Sequence, residues 1–132
     1  MAMTRFSISI VRLLHRYDEP FRIAGHIIDS IASLKVTLVG DQASGRGEAA
    51  GVYYCNDDVD HMIAELAEHR DALEACSDRQ ELRRILPPGG ARNAIDCAMW
   101  EYESRLAGVP VWQLAGLDHC VPKVTTFTLS AD

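Results

Sequence analysis

At 132 residues the chain is one domain's worth, long enough to bury roughly two-thirds of the surface its unfolded form exposes. With 48% hydrophobic and 24% charged residues it lies in the ordinary globular range, and a formal charge of -6 argues against a surface that neutralises nucleic-acid or membrane phosphates. Its apolar runs fall far short of the ~20 residues that span a bilayer, and MAMTRFSISI alternates instead of forming a signal-peptide core, so a cytoplasmic protein is expected.

Phe6, Ile8 and Ile10 alternate with Ser7 and Ser9, the pattern of a half-buried strand. Tyr17-Asp18-Glu19-Pro20 is a turn-rich break in which Pro20 blocks ladder pairing. A second alternating run places Ala32, Leu34, Val36 and Leu38 on one face and Ser33, Lys35 and Thr37 on the other, so the two runs are expected to form an antiparallel hairpin. Gly40-Asp41-Gln42-Ala43-Ser44-Gly45 is a turn by composition, and Arg46 to Ala50 reads as a short third strand made pliable by Gly47.

From Asn56 the period changes to that of a helix, with Val59, Met62, Ile63, Leu66 and Leu73 on one stripe and Glu65, Glu68, His69 and Glu74 facing away. Asp57, Asp58 and Asp60 fall where carboxylates cap free amides. Ser77-Asp78-Arg79-Gln80 fits a capping box for a short helix through Leu82, Ile85 and Leu86, stopped by Pro87-Pro88. A third helix carries Ala91, Ala94, Ile95, Ala98, Met99, Tyr102 and Leu106 on one stripe and ends at Gly108 and Pro110. Asn93, Cys97, Trp100 and Ser104 form a second stripe on it, which fits either a partly exposed indole or a helix covered on both sides, by the sheet and by a further domain. Strands followed by helices in blocks predict an α+β domain: a three-stranded antiparallel sheet with helices on one face, and a last strand from Lys123 to Leu129.

Few residues carry chemistry of their own. Cys55, Cys76, Cys97 and Cys120 include no CxxC pair, so free and mostly buried thiols are expected. In Gly45-Arg46-Gly47-Glu48-Ala49-Ala50-Gly51 the third glycine comes one residue late for a dinucleotide fingerprint and no helix follows, so a bent or bulged strand is the better reading. The acids near His61 lack the alternation, central glycine and late glutamate of a calcium loop, and capping accounts for them. No serine lies in a G-x-S-x-G elbow.

The run ILPPGGARNAIDCAMWEYESRLAGVPVWQLAGL from Ile85 to Leu117, with GRGEAAG before it and KVTTFTLSAD after it, resembles the N-terminal capping domain of the enolase superfamily. The resemblance runs from about Phe6 to Asp132, to the mandelate racemase and muconate-lactonising enzyme group, and within it to the dipeptide epimerases. It implies a capping domain over residues 1–117 and, over 118–132, a linker and the first strand of a (β/α) barrel that this chain does not contain. In that family a magnesium ion held by barrel carboxylates stabilises an enediolate while two lysines remove and return an α-proton. Here Lys35 and Lys123 are the only lysines and form no K-x-K pair, so catalytic residues, magnesium binding and epimerase activity are not expected of these residues alone.

The resemblance also marks two lid loops, Tyr17 to Ile28 and Ala50 to Asp57. It implies substrate contacts from Arg22 and His26 in the first, from Tyr53 and Tyr54 in the second, and from Thr128 on the barrel strand; for the two tyrosines, packing within their own domain is the alternative. Relatives acting on alanine–glutamate dipeptides often place arginine in the first loop, where this chain has Gly25-His26-Ile27-Ile28, which favours a different or more hydrophobic dipeptide. The partners implied are a small peptide-like substrate and the chain's own barrel. Two rivals stand beside this reading. One is the cap of another branch, a muconate cycloisomerase or succinylbenzoate synthase; the other is a free-standing binding or homo-oligomerisation module. A cap without its barrel should associate through Lys123–Leu129 and the Trp100 face.

Overall fold

A computed structural model describes residues 6–23 and 25–127, and of Tyr53 the backbone alone. Strands β1 (Ser7–Ile23), β2 (His26–Val39) and β3 (Ser44–Ala49) form one antiparallel sheet in the order β1-β2-β3. The hairpin is longer than the alternation predicts. β1 pairs β2 from Ser7↔Val39 to Arg16↔Ser30, lapses, and resumes from Phe21↔Ile28 to Ile23↔His26. Tyr17–Pro20, expected as the break between strands, is that lapse. Pro20 lacks an N–H, so it is tolerated where no ladder bond is required, and the reversal moves on to Gly25 at φ +80°.

Helix α4 (Gly90–Ala107) crosses directly over β3. A Cβ at Gly45 would stand 1.9 Å from the carbonyl oxygen of Ala98, and one at Gly47 1.9 Å from that of Ala94. Two glycines spaced by two on the strand thus meet two alanines spaced by four on the helix, and backbone packs on backbone. The β2–β3 register runs without a shift from Leu34↔Ala49 to Val39↔Ser44, so the glycines serve this close approach and not the bend or bulge expected of them. At the helix edge Glu101 accepts from the Arg46 guanidinium at 2.9 Å and from Arg105 at 2.7 Å, and the Arg46 contact holds its carboxyl below the usual glutamate range.

Between sheet and helices lies the core, with Leu34, Val36 and Leu38 from β2 and Met62, Leu66, Leu73, Leu82, Ile95 and Met99 from the helices all buried. Phe6 meets Tyr102 edge to face at 5.0 Å. The single helix expected from Val59 to Leu73 kinks at His69 into α1 (Val59–Glu68) and α2 (Arg70–Ala75). Contacts with the start of β1 account for it: the Glu74 carbonyl accepts from Phe6 N at 2.9 Å, and Arg70 Nη2 donates to the Ile8 carbonyl at 2.6 Å. Glu74, its side chain expected to face away, turns its carboxylate to β1, where Oε1 accepts from Ile8 N at 3.3 Å.

In α3 (Arg79–Ile85) the cap lies one residue later than the capping box predicts. Asp78 Oδ1 accepts from Gln80 N and Glu81 N, both at 2.8 Å, while Glu81 reaches back to Ser77 N. Helix α4 ends in the expected left-handed Gly108, φ +68°, but Leu106, expected in the buried stripe, is exposed because the helix has by then run past the sheet. Trp100 is half-buried beneath the Arg79 guanidinium, 3.6 Å from its ring centre, and Arg79 also pairs with Glu103. A one-turn helix that the sequence did not predict, α5 (Val111–Leu114), follows Pro110.

The strand expected from Lys123 to Leu129 is not found in its described part. Lys123 to Phe127 pairs with nothing among the described residues, and Val124 and Phe127 are fully or largely exposed, because a strand forms only where a neighbour takes its backbone bonds. All four cysteines are free, but only Cys76 is buried; Cys55, Cys97 and Cys120 are exposed, against the expectation of mostly buried thiols, since they lie in loops and on the outer face of α4. No helix among the described residues is long and apolar enough to cross a membrane.

Candidate functional site

Beyond the cover of the helices the β1–β2 hairpin continues as an arm, and the body's loop between β3 and α1 rises beside it. The two enclose a cleft of about 490 Å³, in the range of small-molecule sites. One wall is apolar, from Tyr17, Ile23, Ile27, Ile28 and Ile31, with His26 among them; the other comes from Ala50, Gly51, Asp57, Asp58, Val59 and Asp60. Both loops marked by the resemblance contribute, although the first is a paired strand end and not an irregular loop.

Local hydrogen bonding fixes the second wall. Val52 and Asp57 exchange backbone bonds at 2.9 and 3.3 Å, closing a loop that contains a 3-10 turn over Tyr53–Cys55. Gly51 at φ +75° and Asn56 at φ +59° supply the left-handed residues it needs. Asp57 Oδ2 accepts from Gly90 N at 2.8 Å, tying the loop to the start of α4, and Asp58 Oδ1 accepts from His61 N at 2.8 Å as the cap of α1. Asp60 pairs across the cleft with Arg12 of β1. Of the three acids expected to cap α1 only Asp58 does so; Asp57 serves the start of α4 instead, and Asp60 bridges body and arm.

A second polar group sits where the arm leaves the body. His15, Ser33 and Glu48, one from each strand, meet on the sheet face opposite Leu34 and Val36. The Ser33 hydroxyl donates to Glu48 Oε1 at 2.5 Å, and His15 Nε2 lies 2.7 Å from the same oxygen and 3.0 Å from Ser33 Oγ. The Ser33 bond, followed by His15, holds the Glu48 carboxyl below its ordinary value. Serine and carboxylate share one imidazole nitrogen, so the acid does not orient a base from Nδ1 toward a nucleophile; the group ties strands together and is no hydrolytic triad.

Of the residues singled out from sequence, His26 lines the cleft. Arg22 is exposed on the arm, paired through its backbone with Ile27, and Tyr54 is largely exposed on the 3-10 turn. Tyr53 opens that turn, and Thr128 lies outside the described residues. Arg12, Asp60 and the isoleucines were missed as site residues. A periodicity of two shows that Ile23, Ile27 and Ile31 could lie on strands, but nothing in it tells a covered face from an open one. Among the described residues no three His, Cys, Asp or Glu side chains converge to hold a metal ion.

The sequence matches the N-terminal domain of mandelate racemase / muconate lactonizing enzyme over residues 9–116. It is 31% identical over 98 residues to the L-Ala-D/L-Glu epimerase of Escherichia coli strain K12, covering 74% of this chain and 30% of that protein. An enolase family member from Agrobacterium tumefaciens with homology to dipeptide epimerases, solved with bound sodium and L-Ala-L-Glu, superposes with a TM-score of 0.76 at 25% identity, covering 85% of this chain and 34% of that one. The dipeptide epimerase of Methylococcus capsulatus, complexed with Mg and L-Arg-D-Lys, shares the fold with a TM-score of 0.76 at 23% identity over 87% of this chain and 36% of that one. The chain thus spans about a third of the length of these relatives.

Proposed function

The chain belongs to the N-terminal domain family of mandelate racemase and muconate lactonizing enzyme, and from that premise we propose that it is the substrate-covering lid of a dipeptide epimerase-like isomerase. The reaction would be inversion at an amino-acid α-carbon by removal and return of its proton. One observation carries the reading: the arm and the β3–α1 loop, the two segments that the resemblance marks as lid, face each other across a single cleft of dipeptide size.

In this reading residues 1–117 are the cap, and residues 118–132 lead into a barrel domain that supplies the acid–base lysines. Of the two lysines here, Lys35 is held in the sheet between Val11 and Glu48 and Lys123 lies in the unpaired tail, so neither is offered to the cleft. Magnesium would be held by that barrel. The cap's work is to exclude water and fix the substrate's side chain, with His26 in the wall and Arg22, Tyr53, Tyr54 and Thr128 as further contacts. The epimerase relative at 31% identity favours this branch over the cycloisomerases and synthases.

The test is a hybrid in which the chain replaces the corresponding segment of the Escherichia coli epimerase, with α-proton exchange followed by NMR in D2O across a set of dipeptides. The hybrid is expected to exchange, with a dipeptide preference different from the parent's, and the 132-residue chain alone is expected not to. Exchange by the isolated chain, or a folded hybrid that keeps the parent's preference, would overturn the proposal.

A further inference from the structure

The cleft's lining bears on which dipeptide enters, given the lid reading above. We infer that it selects an apolar substrate side chain and disfavours a carboxylate one, and that Asp60 sets this preference by holding Arg12. Ile23 and Ile27 are 51% and 62% exposed on the cleft wall, an apolar surface that an aliphatic side chain would remove from water together with its own. Among the described lining residues Arg12 is the one arginine or lysine, against Asp57, Asp58 and Asp60, so the lining carries two net negative charges. An acidic side chain would find Arg12, the one guanidinium of the lining, already paired and two further carboxylates nearby, while Arg22, named above as a contact, lies on the arm outside that lining. A cationic side chain gains less than the tally suggests, because Asp57 and Asp58 are committed to Gly90 N and His61 N and Asp60 to Arg12.

Isoleucine-methyl NMR titration of the 132-residue chain with L-Ala-L-Leu, L-Ala-L-Glu and L-Ala-L-Lys reads this directly, since the three share their terminal charges. L-Ala-L-Leu is expected to shift the Ile23, Ile27, Ile28 and Ile31 methyls saturably and to bind about tenfold tighter than L-Ala-L-Glu. Asp60 is 80% exposed, and Asp60→Asn should improve L-Ala-L-Glu about threefold relative to L-Ala-L-Leu, whereas Arg12→Gln should weaken the glutamate dipeptide further. Equal or tighter binding of the glutamate or lysine dipeptide, or an Asp60→Asn chain with the gap intact, overturns the inference and leaves the lid reading standing. If no dipeptide moves these methyls, lid reading and inference fall together.

Discussion

The two ends of the β1–β2 hairpin have similar apolar side chains and opposite surroundings. At the body end Ile8, Leu34, Val36 and Leu38 are buried beneath the helices; at the arm end Leu14, Tyr17, Ile23, Ile27 and Ile31 stand in solvent. Both ends belong to one β1–β2 ladder, but the body half of β2 is also paired with β3 and lies under α4, whereas the arm has two strands, a lapse in their pairing and no helix over it. Apolar residues of the first kind hold the fold together. Those of the second kind cost solubility unless something comes onto them, and in the lid reading that is substrate and barrel.

The sharpest way to break this comparison is to truncate one residue at each end. Leu34→Ala should cost about 2–5 kcal/mol of unfolding free energy in urea, because a fully buried side chain leaves a cavity. Ile27→Ala should change stability by no more than about 0.5 kcal/mol. Comparable losses would mean that the arm is packed in solution, and the distinction would collapse. Gly47→Ala probes the cover itself: its methyl would collide with the Ala94 carbonyl, and a loss of about 1–3 kcal/mol is expected, whereas Gly25→Ala meets no neighbour and bears only its positive-φ strain. Asp57→Ala should cost about 0.5–2 kcal/mol by freeing the start of α4, and hydrogen exchange should localise the change to the β3–α1 loop and the first turn of that helix.

The body was legible in the sequence wherever one residue determined its own surroundings. The buried stripe of α4 from Ala91 to Tyr102, the Gly108 stop and the alternation Leu34, Val36, Leu38 all appear as read. Errors fell where a distant partner decided. The kink at His69 depends on β1, the role of Gly45 and Gly47 depends on α4, and the outward face of Leu106 depends on where the sheet stops. The cleft was half legible. The resemblance located its two segments, but the Arg12–Asp60 pair joins residues 48 apart in sequence, and no local pattern announces such a contact.

The smallest effect tests the boundary between the two regions. His15, Ser33 and Glu48 clasp the three strands where the arm begins, and the bond from Ser33 keeps Glu48 ionised to lower pH than a free glutamate. A carboxyl with a lowered folded pKa contributes stability that is present above its unfolded value, near 4.5, and is lost as pH falls through the folded value. Acidification below pH 4.5 should therefore loosen this clasp, and amide exchange beyond His15 should accelerate before exchange in the Leu34–Leu38 stretch does. Other carboxylates titrate in the same window, notably Glu101, held low by Arg46, so the discriminating comparison is with Glu48→Gln. That variant should lose the early acceleration of the arm and keep the later loss of the body. An arm that responds identically in both proteins would place the pH dependence elsewhere and remove the clasp as the divider between a packed body and an open arm.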